Sequence, residues 1–145
     1  MKEGLTLRGK ITIPTEFNKK PVVAINFGRG TSDDNTCGQE ITHVFLEDSS
    51  KSKLYEVGEG CFKGCSTLKY FDFTTVRYVG AYAFRDCSLD PNLFKLGENT
   101  YYIGMQGFNI SINFREPTTL YVPSNVRYIM ENGFTNFKGV NGNTL

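Results

Sequence analysis

The chain has 145 residues, room for one domain burying roughly 70% of the surface its unfolded form exposes, with 16 Lys and Arg against 15 Asp and Glu for a formal charge of +1. That balance excludes the basic excess on which nucleic-acid binding rests, and no apolar run approaches the roughly 18 residues that a membrane-inserted helix needs. Twenty aromatic residues, all Phe or Tyr, together with 15 Gly, predict many short strands joined by tight turns rather than a helical bundle.

The opening Met1 to Thr6 lacks the apolar stretch of a secretory signal, so a leader has been removed, the chain is an excised fragment, or export does not use that route. Leu7 to Ile13 is the weak first copy of a strand phrase, apolar at its first, fourth and sixth positions. Val22 and Ile25 follow as an aliphatic pair, and then Asn26 to Gly38 is polar and Gly-rich, an expected exposed loop. The strand phrase recurs at Ile41–Leu46, Leu68–Phe73, Pro91–Leu96 and Pro117–Val122. Its closing alternation predicts strands near 42–46, 69–73, 93–96 and 119–122, paired in sequence order as a parallel sheet.

A second phrase interleaves with the first: two aliphatic residues three apart, usually Gly, then Phe five after the second aliphatic. It reads Leu54, Val57, Gly58, Phe62; then Val76, Val79, Gly80, Phe84; then Thr100, Ile103, Gly104, Phe108; then Val126, Ile129, Met130, Phe134. The internal spacing is fixed while the distance between copies grows, as in a stack of coils with elastic connections. The residue before each Phe is small (Cys61, Ala83, Gly107, Gly133), which predicts close approach of neighbouring coils, and Gly64 and Asp86 stand where a single helical turn could end. The expected core is Leu46, Phe62, Leu68, Phe71, Phe73, Val79, Phe84, Phe94, Leu96, Ile103, Phe108, Leu120, Val122 and Ile129. Phe134 and Phe137 open a fifth turn that no closing strand follows, so further chain or a partner is expected to cover the C-terminal coil.

The run from Val57-Gly58 through Phe62 and Gly64-Cys65 to Leu68, its echo in Val79-Gly80 through Ala83-Phe84 to Cys87, and the opening Ile13-Pro14 with Lys20-Pro21-Val22 resemble the BspA-like leucine-rich repeats of bacterial surface proteins and some protist and phage proteins. The resemblance covers about residues 10 to 137. It departs where Asn26 and Met130 replace Gly, where Ser111 and Phe137 replace Cys, and where the first repeat lacks its Phe turn. It implies a mainly β, right-handed leucine-rich-repeat solenoid over residues 1–145, with about five coils, four to five short parallel strands and short helical or 3-10 turns. It also implies an extracellular or cell-surface setting, with a virion the other candidate, and it brings no catalytic residues to carry over.

Candidate chemistry is sparse. His43 is the only histidine, no Gly-x-Ser-x-Gly occurs, and Gly28-x-Gly30 extends to no phosphate-binding pattern, so no enzyme, cofactor or metal site is expected. Cys61 and Cys65 lack a second ligand pair; Cys61, Cys65 and Cys87 read as small buried thiols, with a bridge between Cys65 and Cys87, equivalent positions one coil apart, as the alternative, and Cys37 in the loop as the reactive one. Asp33-Asp34-Asn35 lacks the alternating ligands of a calcium loop.

Two functions fit such a scaffold: a recognition or adhesion module for a protein or glycan, or a structural spacer in a stalk or fibre. With the first, fourth and sixth strand positions inward, the third and fifth form one outer surface: His43 and Phe45, Tyr70 and Asp72, Leu93 and Lys95, Thr119 and Tyr121. Asp72 and Lys95 are placed to pair across neighbouring strands, and the aromatic members are the expected partner anchors. A second row, Tyr78, Tyr102 and Tyr128, is expected to stack on another flank.

Overall fold

A computed structural model describes residues 7–26, 40–109 and 121–134. The chain coils as a β-solenoid. Its elements are β1 (Arg8–Ile13), β2 (Glu16–Phe17), β3 (Lys20–Pro21), β4 (Ala24–Ile25), β5 (Glu40–Leu46), β6 (Glu56–Val57), β7 (Tyr70–Phe71), β8 (Tyr78–Val79), β9 (Tyr102–Ile103) and β10 (Tyr128–Ile129), with no helix among the described residues. Two parallel sheets run along the stack: β1-β5-β7, and β4-β6-β8-β9-β10 in sequence order. The five-stranded sheet is therefore built by the Gly-led phrase rather than by the strand phrase. A small hairpin, β2–β3, turns on Asn18 and Lys19, both at positive φ as a two-residue primed turn requires.

The Phe turns are not helical. Each is a chain of β-turns closed by i to i+3 hydrogen bonds: Cys61 N–H to Gly58 C=O, Lys63 to Gly60, and Cys65 to Phe62. The same set recurs at Ala83 to Gly80, Arg85 to Tyr82 and Cys87 to Phe84. A helix cannot form because a left-handed residue interrupts it two positions before the Phe (Gly60, Tyr82, Gln106, Asn132) and again two after it at Gly64 and Asp86. This geometry frees alternate amides to point along the stack. Gly60, Phe62 and Gly64 donate to Ala81, Ala83 and Arg85, and Tyr82, Phe84 and Asp86 donate to Met105, Gly107 and Asn109. The turns thus form a third ladder, from coil to coil.

That ladder sets the ring spacing inside. Phe62, Phe84, Phe108 and Phe134 stack with centroids 5.4, 5.2 and 5.4 Å apart and planes within 13° of one another. Phe71 and Phe73 meet Phe84 edge-on. The Gly slot allows the coils this close: a β-carbon on Gly80 would stand 2.6 Å from the Glu59 amide nitrogen, and one on Gly104 2.5 Å from that of Ala81. Buried Thr100, in the aliphatic slot, donates its hydroxyl to Val76 C=O, as Thr75 does to Leu54 C=O.

Most of the expected core is buried, with Phe94 partly so and Val122 half-buried. Leu120 lies outside the described residues. Ile129 is a correction: it is 48% exposed, and among the described residues β10 has only β9 beside it. The strand expected at 93–96 is a second correction. Asp90 takes the amides of Leu93 and Phe94 on its carbonyl and that of Asn92 on its carboxylate, so the segment winds into a turn and leaves the ladder. The strand expected at 119–122 falls mostly outside the described residues, and Tyr121 and Val122 are not in a strand.

Candidate functional site

The outer face of β1-β5-β7 carries the expected site residues. β5 is long enough to alternate, burying Ile41, Val44 and Leu46 and turning His43 and Phe45 outward. The register His43↔Tyr70 then brings a third ring beside them. Phe45 and Tyr70 lie 5.3 Å apart, His43 and Tyr70 6.3 Å, and His43 stacks on Phe45 at 6.0 Å with planes 8° apart. All three are half-buried. His43 Nδ1 lies 3.0 Å from the Thr42 hydroxyl. Partial burial, and behind it the Asp72 carboxylate, pushes the Tyr70 phenol above its ordinary value, so the ring is neutral at physiological pH.

Asp72 and Lys95 do not pair. The Asp72 carboxylate instead accepts from the amide and hydroxyl of Thr74, at 2.9 and 2.6 Å, because Lys95 belongs to the segment that left the ladder. With Leu93 they line a cleft of about 420 Å³ between Tyr70–Thr74 and Leu93–Asn99. Leu93 is exposed within it. Tyr121 is 58% exposed, and among the described residues no ring contact joins it to the aromatic cluster. Thr119 lies outside the described residues. Six of the eight expected residues therefore share one region, in two neighbouring groups, while Tyr121 stands apart.

A second aromatic surface follows the five-stranded sheet. Tyr78, Tyr102 and Tyr128 step along it at 6.5 and 6.4 Å, as the expected row does. Sequence reasoning missed the adjoining column, one residue after each first aliphatic. Tyr55 meets Tyr78 at 6.2 Å, Arg77 lies over Tyr78 and Tyr101 at 5.9 and 5.5 Å, and Tyr101 meets Tyr128 at 5.5 Å. The signal was the fixed offset of Tyr55, Arg77, Tyr101 and Arg127.

The cysteines depart from expectation in part. Cys61 and Cys87 are buried free thiols, and burial pushes the Cys87 thiol far up while its S–H reaches Phe62 C=O at 3.0 Å. Cys65 is disulfide-bonded rather than reduced. It is not bridged to Cys87, its equivalent one coil on, which keeps a free thiol. Cys37 and the Asp33-Asp34-Asn35 cluster lie outside the described residues.

No helix of the described residues is long and apolar enough to cross a membrane. A family model described as BspA type leucine rich repeat region matches residues 37–143 in six copies. No curated protein and no solved structure matches the chain. A match over more than half of the chain, on a solenoid of parallel strands whose coils keep the same Gly and Phe slots, makes this chain a member of the BspA-type leucine-rich repeat family.

Proposed function

We propose that the chain is a non-catalytic recognition or adhesion module whose contact surface is the outer face of β5 and β7 with the adjoining cleft. His43, Phe45, Tyr70, Asp72, Leu93 and Lys95 form the surface, and exposed Tyr121 is a further candidate anchor outside that cluster. The observation that carries this reading is the His43–Phe45–Tyr70 cluster, three rings held in mutual contact yet half-open to solvent. Rings fixed by a sheet lose little freedom on binding and bury large areas, as interface anchors do. The partner is a protein or glycan. An extracellular or surface setting fits the family, which is associated with surface proteins, and fits the Cys65 disulfide, since such bonds persist in oxidising compartments. The exposure of Tyr128, Ile129 and Met130 offers apolar surface at β10 for a partner.

The Tyr–Arg flank favours a second reading, in which stacked rings stiffen the coil and the chain is a spacer or assembly element of a stalk or fibre. Both readings meet one test. The labelled chain is screened on panels of extracellular-matrix proteins and glycans, and Tyr70→Ser with Tyr121→Ser is compared with Tyr78→Ser plus Tyr102→Ser. Binding abolished by the first pair alone, with the melting transition kept, supports the recognition face. Retained binding, or equal loss from the second pair, moves the site to the other flank.

A further inference from the structure

The cleft beside β7 has a shape and a chemistry that narrow what it can take. Next to it the Asp90 amide donates to Lys69 C=O at 2.8 Å, and within its lining Gly97 lies so close to Phe73 that a β-carbon there would stand 2.2 Å from its carbonyl oxygen. Residues 70–74 line one side and Leu93 with residues 95–99 the other. An extended peptide adding to a sheet edge needs a groove open along its length. Here the backbone contact of Gly97 with Phe73 interrupts the groove, and the opening holds about 420 Å³, near the lower end of the range for small-ligand sites.

Its walls offer hydrogen-bonding groups of both kinds beside apolar surface. The two bonds Asp72 makes to Thr74 fall on one carboxylate oxygen, so Oδ2 points to no partner among the described residues. Lys95 and Asn99 bring donors from the opposite wall, and Tyr70 and Leu93 bring apolar faces. Because the Asp72 amide donates to Val44 C=O, the alternation of a parallel ladder turns the peptide groups of Phe71 toward the opening. Charge selects further: Asp72 and Glu98 face a single cation, Lys95, which disfavours phosphate, sulfate or sialic acid.

We propose that this cleft is a saccharide subsite that takes one neutral sugar ring, its apolar face against Tyr70 and its hydroxyls divided between Asp72, Lys95 and Asn99. The proposal rests on the reading of this face as the contact surface and names glycan as its partner class. The test is a titration of the isotope-labelled chain with a panel of neutral methyl glycosides, with glycerol and a sialoside as controls, followed by backbone amide shifts. Expected are shifts at Thr74, Lys95, Gly97 and Asn99 for one glycoside over the others, saturating at roughly millimolar concentration. Lys95→Met with Asn99→Leu should weaken that titration by roughly tenfold or more, whereas Glu16→Ala, on the exposed β2–β3 hairpin, should leave it within about twofold. No shift from any neutral glycoside, equal shifts from glycerol, a response to the sialoside alone, or an unchanged titration in the double variant would overturn the subsite. If the glycosides fail while Tyr70→Ser with Tyr121→Ser still abolishes partner binding, the saccharide inference falls and the recognition face stands; if both fail, both fall.

Discussion

The stack of Phe turns and the outer sheet are both built from phrases that repeat in the sequence, yet the turns stay regular from Phe62 to Phe134 while the outer sheet has three strands among the described residues. In the turns, three constraints coincide: left-handed residues that aim alternate amides along the axis, a Gly (Gly80, Gly104) that lets backbones approach, and a ring that stacks on its neighbour. Satisfying one satisfies the others. On the outer sheet a single constraint operates, the apolar alternation, and it says nothing about where the amides bond. Asp90 captures three of them and the sheet opens beside β7. A repeat holds where packing and hydrogen bonding demand the same backbone, and a site can open where only packing does.

The sharpest break of this comparison is Phe84→Ala. Its ring touches Phe62, Phe71, Phe73 and Phe108, so the cavity should cost about 3 to 5 kcal/mol in chemical denaturation. Phe45→Ala, on the open face, should cost far less. Next comes Gly104→Ala, whose new β-carbon would meet backbone rather than a side chain that can yield. It should cost about 1 to 3 kcal/mol, visible as a lowered melting temperature.

The contrast also explains what the sequence made legible. The ring ladder and the small slot before each Phe were readable because each is a side-chain requirement repeated at fixed offset. The strand at 93–96 was misread because Leu93, Phe94 and Leu96 keep the apolar pattern, while the competing signal was polar: Asp90 before Pro91, the chemistry of a turn. The turn ladder was hidden for another reason. Tyr82 and Gln106 adopt positive φ with side chains that do not announce it, so only Gly60 and Asn132 hinted at the shared conformation. Ile129 was placed inside by periodicity alone, which cannot see that β10 lacks a second neighbour among the described residues. In the candidate site the alternation of β5 and β7 located His43, Phe45, Tyr70 and Asp72, but the cleft was illegible because it exists where the pattern fails.

Smaller effects sharpen the account. Asp90→Ala removes the carboxylate that holds the Asn92 amide and should cost about 0.5 to 1.5 kcal/mol while shifting amide resonances across 91–97. The smallest effect is a pH dependence where the first coil meets the second. The amide and hydroxyl of Thr15 donate to Glu47 and hold its carboxyl below the usual glutamate value. A lowered folded-state value means this contribution is complete above the unfolded pKa and is lost as pH falls through the folded one. Stability should therefore decline slightly on acidification below the ordinary glutamate range, and Glu47→Gln should flatten that part of the profile.

Amide hydrogen exchange at single-residue resolution tests the central claim most directly, because the claim concerns where amides bond. Phe62, Phe84 and Phe108, each donating to the next coil, should exchange only through global unfolding, and Asp72, bonded to Val44, should be protected, while Lys95 should exchange by local opening at far lower free energy. Protection of Lys95 equal to that of Asp72 would show that the outer sheet continues through 93–96, and fast exchange at Phe84 would show that the turns do not form a ladder; either result contradicts the account.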